Sequence, residues 1–261
     1  MDKVTVVKIG GATFGSHDTT IDDIVTLQQQ GKLLVVVHGG GKLISQWLGK
    51  MGVPTKMVNG ERVTDVTALE VVTAVLSGLV NKDIVSAINC RGGRSVGISG
   101  VDGALVQCKI KNEEMGYVGN IVKVDVAILE TLLKSGYVPV VSPVSLDIFG
   151  MPGDIPQLLN VNGDPVAGEI AATIGAEKLI FMTDVAGICD QSGKLISNLS
   201  GSEAKALVAS GVASGGMVPK VEACLKALSS TQATCIIDGR RSHALLAEIQ
   251  GRGTGTIIRG A

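Results

Sequence analysis

The amino-acid sequence predicts an α/β fold: a doubly wound, mainly parallel sheet covered by helices. Strand-like and helix-like runs alternate along almost the whole chain of 261 residues, the pattern of successive βα units. Hydrophobic residues make up 45 % of the chain and aromatic residues only 2 %, so the core must be built from Val, Ile, Leu and Ala, as in buried parallel strands. Ligands of such sheets bind at the carboxyl ends of the strands, where we expect the functional residues.

The first half of the chain begins with two aliphatic strands, each followed by a helix. Residues 3–9 and 32–37 are rich in Val, Leu and Ile, which favours buried strands. Residues 19–30 have helical apolar spacing, with Thr19 or Thr20 as candidate N-cap and Gly31 as stop signal. The other elements expected here are a helix at 42–51, a helical region at 65–93 that is one helix or two meeting near Gly78, a strand at 95–99, a hairpin of 103–110 and 117–124, a helix at 125–136 and a strand at 137–144.

The second half repeats the alternation. No Pro/Gly/Ser-rich linker divides the chain, so we expect two lobes on one continuous sheet, 1–150 and 151–261, with a soft boundary near 145–160. The elements predicted are helices at 164–175, 202–211, 218–230 and 242–251, and strands at 178–184, 233–238 and 255–259.

Charge and composition argue against several classes of protein. The net charge is −1, from 23 basic and 24 acidic residues without a Lys/Arg block, so a nucleic-acid partner is not expected. The five cysteines are an odd number and form no C-x-x-C pair, which argues against a disulfide framework and a zinc ribbon and favours small buried hydrophobes in a reducing compartment. We find no signal peptide and no run of about 18 apolar residues. These features predict a cytoplasmic protein that is not bound to a membrane.

Glycines follow two of the predicted strands. Gly10-Gly11 ends the first strand, and Gly39-Gly40-Gly41 ends the second. Backbone without side chains lets N–H groups approach an anion, and a following helix start adds its dipole. One such segment alone would be explained as a tight βα turn, but two in one sheet favour phosphate binding. The second segment is not a Walker A loop, and no G-x-G-x-x-G is present.

Cationic and polar residues near predicted element ends are candidates for the same site. Lys8 lies near the end of the first strand, Lys220 follows Gly215-Gly216 near a helix start, and Arg62 lies in a turn. Each alone is more often a solvated surface residue.

A polar run precedes the helix predicted at 164–175. Asp164 alone would be read as an N-cap, yet the alternation of Asn160, Asn162 and Asp164 suits one face of an extended segment that recognises a small ligand. The three histidines are His17, His38 and His243, and they form no visible triad or metal cluster. We expect each of them to be structural.

Taken together, these motifs resemble the amino-acid kinase family. The likeness covers essentially the whole chain in the right order. It is carried by the segments "VVKIGGA", "VVVHGGGK", "NGERVTD", "NVNGDPVAG", "LIFMTDVAGI", "SGGMVPKVEAC" and "IIDGRRSHALL".

The resemblance implies an open αβα sandwich and an enzyme that phosphorylates the γ-carboxylate of N-acetylglutamate with ATP. The N-terminal lobe would bind N-acetylglutamate and form a dimer, and the C-terminal lobe would bind ATP. Lys8 and Lys220 would stabilise the transferring phosphoryl group, and Asp164 would hold the two lysines. No general base is needed, because a carboxylate of pKa about 4.3 is already ionised. Mg²⁺ would arrive on the ATP phosphates without a protein cage.

The resemblance also assigns the remaining binding residues. Gly40 and Gly41 would face the γ-carboxylate, Arg62 the α-carboxylate and Asn160 the amide region of the substrate. The nucleotide would be bound by Gly10, Gly11, Thr183, Asp184, Val185, Ala186, Gly187, Ile188, Val212, Ala213 and Ser214.

Two departures from the family pattern affect these expectations. Gly163 and Pro165 stand where many members carry Ala and a residue other than Pro; Pro165 at the first helical position would leave Asp164 as N-cap. The sequence begins at the first strand, without the extra N-terminal helix of arginine-inhibited hexamers, so we expect a homodimer insensitive to arginine.

Two other functions fit part of the pattern. A sister kinase would act on aminoadipate linked to a carrier protein, although "NGERVTD" and "SGGMVPK" favour acetylglutamate. A non-catalytic sensor would bind a nucleotide or an amino acid, but the presence of Lys8, Asp164 and Lys220 together argues against it.

Overall fold

The computed structural model of the chain describes residues 3–10, 19–58, 60–149 and 157–260. Gly11 and His17, singled out above, lie outside these residues. Within them the strands are β1 (Val4–Ile9), β2 (Leu33–His38), β3 (Met57–Val58), β4 (Glu61–Arg62), β5 (Ser95–Ser99), β6 (Val106–Ile110), β7 (Gly119–Val124), β8 (Val138–Ser142), β9 (Val144–Asp147), β10 (Leu158–Asn160), β11 (Lys178–Thr183), β12 (Asn198–Ser200), β13 (Ala233–Asp238) and β14 (Thr256–Arg259).

Helices connect most of these strands. They are α1 (Thr20–Gln29), α2 (Gly41–Lys50), α3 (Val66–Thr73), α4 (Asn81–Cys90), α5 (Ala127–Lys134), α6 (Gly163–Ile174), α7 (Gly201–Ala209), α8 (Met217–Ala227) and α9 (Ala244–Ile249), with a π-helical segment at Ala74–Val80 and short 3₁₀ turns at Asp102–Ala104 and Glu113–Met115.

An eight-stranded sheet in the order β12-β14-β13-β11-β1-β2-β8-β5 forms the centre of the molecule. All neighbouring strands are parallel except β13 and β14, which are antiparallel. The predicted α/β fold with a mainly parallel sheet is therefore confirmed. Strands from both halves of the chain meet in this sheet, with β1 beside β11.

A second sheet of four strands, in the order β10-β9-β6-β7, lies outside the central one. Its β6 and β7 form the predicted antiparallel hairpin. β10, which follows the boundary expected near residue 150, pairs with β9 from the first half. β12 was not predicted, because three residues are too few to show a strand pattern.

Both faces of the central sheet are buried. In β1, Val4 and Val6 belong to one apolar cluster, and Val7 and Ile9 belong to the other. This division follows the alternation of side chains along a strand. The sheet is thus covered by helices on both sides, as a doubly wound fold requires.

Residues 66–90 form one continuous helical element made of α3, the π-helical segment and α4. Gly78, where two helices were expected to meet, lies inside the π-helical segment. By length and composition this element could cross a membrane. However, Val72, Val75, Leu76 and Ile88 on it are buried in the core cluster beneath the sheet, so we describe it as a core helix.

Two local expectations were met only in part. Thr19, one of the two candidates, is the N-cap residue of α1, but its hydroxyl makes no capping hydrogen bond; it accepts a hydrogen bond from the backbone N–H of His243 (2.6 Å). The five cysteines are free, as expected, but Cys90 is exposed and Cys189 is half-buried.

Candidate active site

Two lysines and one aspartate meet near the carboxyl end of β1. Lys8 Nζ lies 2.5 Å from Asp164 Oδ1, and Lys220 Nζ lies 2.9 Å from Asp164 Oδ2. Lys220 also donates a hydrogen bond to the carbonyl oxygen of Gly216 (3.1 Å). The structure therefore brings together the three residues predicted to be catalytic.

Strand alternation explains why Lys8 reaches the other two residues. Val4 and Val6 pack in the cluster that contains Val166 of α6 and Val221 of α8. Residues two apart on a strand share a face, so Lys8 points toward the same two helices. α6 and α8 carry Asp164 and Lys220 in their first turns.

The start of α6 differs from the expectation. Asn162 is the N-cap, and its side chain accepts a hydrogen bond from the Asp164 N–H (3.0 Å). Gly163 is the first helical residue and Pro165 the third, so Asp164 does not cap the helix. Pro165 still lies in the first turn, where an N–H has no acceptor within the helix. The Asp164 carboxylate is therefore free to bind the lysines.

The charges of this cluster do not balance. Burial favours a higher pKa for the Asp164 carboxyl, but the charges of Lys8 and Lys220 and the hydrogen bonds they donate lower that pKa overall. Asp164 is therefore ionised at neutral pH, and two ammonium groups share one negative charge. Lys8 and Asp164 are both buried, and excess positive charge in a poorly hydrated site attracts an anion.

α2 begins at the carboxyl end of β2 and presents backbone N–H groups. Gly40 is its N-cap and Gly41 its first residue, and neither N–H has a hydrogen-bond acceptor within the described residues. A Cβ on Gly40 would lie 2.6 Å from Leu76 Cδ2, so a larger residue here would have to displace the buried Leu76 side chain. Unpaired N–H groups at a helix start bind anions.

Gly10 does not have the geometry predicted for it. Its N–H donates a hydrogen bond to the carbonyl oxygen of Met182 (3.2 Å), which continues the pairing of β1 with β11. This N–H is thus directed along the sheet instead of toward a nucleotide. The other predicted phosphate ligand of this loop, Gly11, lies outside the described residues.

Arg62 is buried beside the start of α2. Its guanidinium donates hydrogen bonds to the Thr55 hydroxyl (3.1 Å), the Ser45 hydroxyl (2.8 Å) and the Gly41 carbonyl oxygen (3.2 Å). These partners are neutral, and burial is the cause of the lowered Arg62 pKa. The group stays charged nevertheless, because arginine begins from a very high pKa. A buried guanidinium without a carboxylate partner in the described part of the chain is suited to a ligand carboxylate.

Asn160 is linked to Arg62 through Thr64. Asn160 Nδ2 donates a hydrogen bond to the Thr64 hydroxyl (3.0 Å), and this hydroxyl donates to the Arg62 carbonyl oxygen (2.8 Å). The end of β10 is thereby tied to the segment that carries Arg62. The two predicted substrate-binding residues therefore lie in one hydrogen-bonded network.

The residues predicted to bind the nucleotide fall into two groups. Those that are exposed at or near the end of β11 or before α8, and can contact a ligand directly, are Asp184, Val185, Ala186 and Ser214. Thr183, Gly187, Ile188 and Ala213 are buried and Val212 is half-buried. Thr183 accepts a hydrogen bond from the Val185 N–H (3.1 Å), and the Ile188 N–H donates to Thr256 Oγ1 (2.8 Å). The buried residues shape the two loops, after β11 and before α8, that present the exposed residues.

A cavity of about 500 Å³ opens between α1, α2 and α4. It shares Gly40 with the site just described, but Lys8, Asp164 and Lys220 do not line it. We place the candidate active site at the charged cluster, because a phosphoryl group needs positive charge and the cavity wall is mostly apolar.

His38 is a residue of this site whose role the sequence did not indicate. It is fully buried at the end of β2, and a Cβ on Gly163 would lie 3.2 Å from its carbonyl oxygen. The only signal in the sequence is its position directly before the three glycines.

The fold and these groups define a class of protein. The model of the Amino acid kinase family matches residues 3–238, and the chain belongs to this family, as its motifs indicated. The expectation that the chain is an enzyme of the kinase type is confirmed.

Curated relatives extend along nearly the whole chain. An acetylglutamate kinase of Dehalococcoides mccartyi (strain CBDB1) is 46 % identical over 257 residues, 98 % of this chain and 94 % of the relative. An acetylglutamate kinase of Cereibacter sphaeroides (strain ATCC 17029) is 47 % identical over 261 residues, 98 % of this chain and 87 % of the relative. These relatives confirm that, within the family, the chain resembles acetylglutamate kinases.

Among solved structures, N-acetylglutamate synthase from Neisseria gonorrhoeae, complexed with coenzyme A and N-acetyl-glutamate, is similar. Its TM-score is 0.84 at 26 % identity, covering 98 % of this chain and 59 % of that one.

Proposed function

We propose that the chain transfers the γ-phosphoryl group of ATP to the γ-carboxylate of N-acetyl-L-glutamate, forming N-acetyl-L-glutamyl 5-phosphate in arginine biosynthesis. The observation that carries the proposal is the Lys8–Asp164–Lys220 cluster, in which Lys8 and Asp164 are buried, with its excess positive charge. A transferring phosphoryl group spreads negative charge over its oxygens, and catalysis depends on stabilising that charge.

The substrate assignment rests on Arg62, Gly40 and Gly41. Arg62 would bind the α-carboxylate in a bidentate pair, while the Gly40 and Gly41 N–H groups would bind the γ-carboxylate and the incoming phosphoryl group. Asn160 would contact the amide region. Both curated relatives described above are acetylglutamate kinases, and the similar synthase holds N-acetyl-glutamate, which supports this choice over aminoadipate.

The chain's own residues position the reactants and neutralise charge. The acceptor carboxylate is ionised at neutral pH, so it needs no general base. Lys8 and Lys220 would contact opposite sides of the transferring group, and Asp164 would keep their ammonium groups apart and oriented. Mg²⁺, when bound, supplies charge neutralisation on the ATP phosphates. Within the described residues no three His, Cys, Asp or Glu side chains are grouped to hold a metal. We propose that the ion is held mainly by ATP and water.

We also propose the division of labour and the assembly. Residues 1–150 would bind acetylglutamate and form a homodimer, and residues 151–261 would bind ATP through the exposed loop after β11. The cytoplasm is the compartment we propose for this enzyme.

The first experiment is ATP-dependent acyl-phosphate formation trapped with hydroxylamine. N-Acetylglutamate, glutamate and aminoadipate would be compared at equal concentration, each with and without arginine. We expect hydroxamate only with N-acetylglutamate, because Arg62 and the Asn160 network fit an acetylated α-amino acid. We also expect no effect of arginine.

Two outcomes would contradict the proposal. Folded protein that is inactive with all three acceptors would favour the carrier-linked kinase or a sensor. Preference for free glutamate or aminoadipate would overturn the substrate assignment while leaving the phosphoryl-transfer chemistry intact.

A further inference from the structure

A chain of hydrogen bonds runs from the surface to the glycines of the active site. Lys82 Nζ donates to Asn81 Oδ1 (3.0 Å), and Asn81 Nδ2 lies 3.2 Å from His38 Nε2. On the other side of the ring, His38 Nδ1 lies 3.0 Å from the carbonyl oxygen of Gly39. His38 and Asn81 are fully buried.

The partners leave one arrangement of hydrogens. The Lys82 ammonium can only donate, so the oxygen of the Asn81 amide must face it. The Asn81 NH₂ group then faces His38 Nε2 and the carbonyl oxygens of Val140 (2.9 Å) and Ile98 (3.3 Å). A proton on Nε2 would point at this NH₂ group, which has no lone pair to accept it, so Nε2 of His38 carries no proton.

The other ring nitrogen must be a donor, because a carbonyl oxygen can only accept. His38 is thus neutral with its proton on Nδ1. Burial lowers the pKa of His38 to about 4, although the hydrogen bond with Gly39 raises it, and the nearby charges of Lys8 and Lys82 lower it further, so this form persists at neutral pH.

This proton fixes the peptide group between Gly39 and Gly40. The carbonyl oxygen and the N–H of a trans peptide point in opposite directions. Holding the Gly39 oxygen against His38 therefore directs the Gly40 N–H away from the ring. The Gly39 N–H is fixed as well, since it donates to the Ile9 carbonyl oxygen (3.0 Å). Without side chains, glycines have many other conformations to adopt, and these contacts exclude them.

We infer that His38 is a positioning residue that, held by Asn81 and Lys82, aims the Gly40 N–H at the phosphoryl-accepting oxygen. The inference rests on the proposed function, because it assigns the task of that N–H to the same reaction. A preorganised donor stabilises the charge that develops in the transition state. A variant in which the Gly40 N–H is no longer oriented should therefore lose more in kcat than it gains in KM.

The test compares two variants at His38. His38→Leu removes the donor, whereas His38→Asn retains an NH₂ group close to the Nδ1 position. We expect kcat of His38→Leu to fall by about 10- to 100-fold, with the KM for ATP nearly unchanged. This effect is smaller than, or similar to, that of removing a whole oxyanion-hole donor. His38→Asn should recover a large part of the loss. Ile88→Val shortens a core side chain on α4, the helix that carries Asn81 and Lys82. This variant controls for the effect of reduced stability.

A spectroscopic measurement on the wild-type protein is independent of activity. Long-range ¹H–¹⁵N correlation spectra of the histidine rings should show one residue, absent in His38→Asn, with a protonated Nδ1 and a bare Nε2 from pH 8 to about pH 5.5. This range lies above the low pKa of His38. The opposite tautomer, or a kcat of His38→Leu within twofold of the wild type, would overturn the inference. Wild-type protein without kinase activity but with the expected tautomer would instead count against the proposed function.

Discussion

Asp164 organises the site because each of its two oxygens binds a lysine from a different element. Lys8 comes from the central strand β1 and Lys220 from α8. A buried carboxylate is costly unless it is paired, so the two lysines and Asp164 stabilise one another. The site therefore has its charges in place before a nucleotide arrives.

Lys8→Ala should lower turnover strongly and leave acetylglutamate binding nearly unchanged. Lys8 would contact the transferring phosphoryl group, whereas Arg62 and the glycines would hold the substrate. We expect kcat to fall by about 10²- to 10³-fold, the usual loss for a preorganised electrostatic group. Steady-state kinetics would measure this, and titration calorimetry would measure acetylglutamate binding.

Lys3→Ala is the matched control, because in the described part of the chain Lys3 forms an ion pair at the surface with Glu177. Exposed pairs contribute little to stability. A Lys8→Ala enzyme that turns over as fast as Lys3→Ala would remove Lys8 from the mechanism.

At the scale of elements, α6 and α8 pack closely where they carry the site. A Cβ on Gly168 would lie 2.8 Å from the Ala223 carbonyl oxygen and 2.9 Å from its Cα. Gly168 lies one helical turn after Asp164, and Ala223 lies three residues after Lys220. The close contact thus fixes the distance between the two charged residues.

Gly168→Ala should separate the two helices and weaken the Asp164–Lys220 ion pair. The obstacle is backbone, which cannot rotate away like a side chain, so we expect a loss of about 1–3 kcal/mol in the free energy of unfolding. We also expect about a tenfold loss of kcat, the equivalent of 1.4 kcal/mol in the barrier. Denaturant unfolding and kinetics would measure the two effects.

Gly49→Ala on α2 is the control, because a Cβ there meets no atom within 4 Å. Alanine is the better helix former, so this change should leave stability equal or higher. If Gly168→Ala behaved like Gly49→Ala, the two helices would not depend on this contact for their spacing.

Local patterns predict the elements well and the contacts between them poorly. Runs of Val, Leu and Ile identify β1, β2 and β11, because buried parallel strands require them. The positions of Lys8 and Asp164 beside element ends were also readable. The hydrogen bond between His38 and Asn81 was not, since it joins residues 43 apart, and no local period encodes it.

Short-range competition explains the remaining errors. Asn162 and Asp164 are both good N-cap residues, and only the folded backbone shows that Asn162 has this position. Likewise, Gly10 fits a phosphate loop by sequence, but pairing with β11 uses its N–H.

At the scale of the molecule, exposed large hydrophobic side chains are distributed unevenly between the two halves of the chain. Among the described residues, the exposed large hydrophobic side chains of the first half are Trp47, Met51, Met57, Val66, Leu79, Ile110, Val122, Ile148 and Phe149, whereas Val185 is the one found after residue 157. Exposed apolar side chains that gather into one patch mark association surfaces. Their larger number in the first half is the reason why we place the proposed dimer interface in the first 150 residues.

We therefore expect a homodimer in solution, with a mass twice the 26.7 kDa of the chain. Leu79→Lys and Val122→Lys, on the long helix and on β7, should each shift sedimentation equilibrium toward the monomer, because burying an unpaired ammonium in an interface is costly. Val185→Lys, in the second half, should leave the mass unchanged. A hexamer, or a dimer broken only by Val185→Lys, would place the interface in the other lobe or in a different assembly, and the apolar surface of the first half would then need another partner.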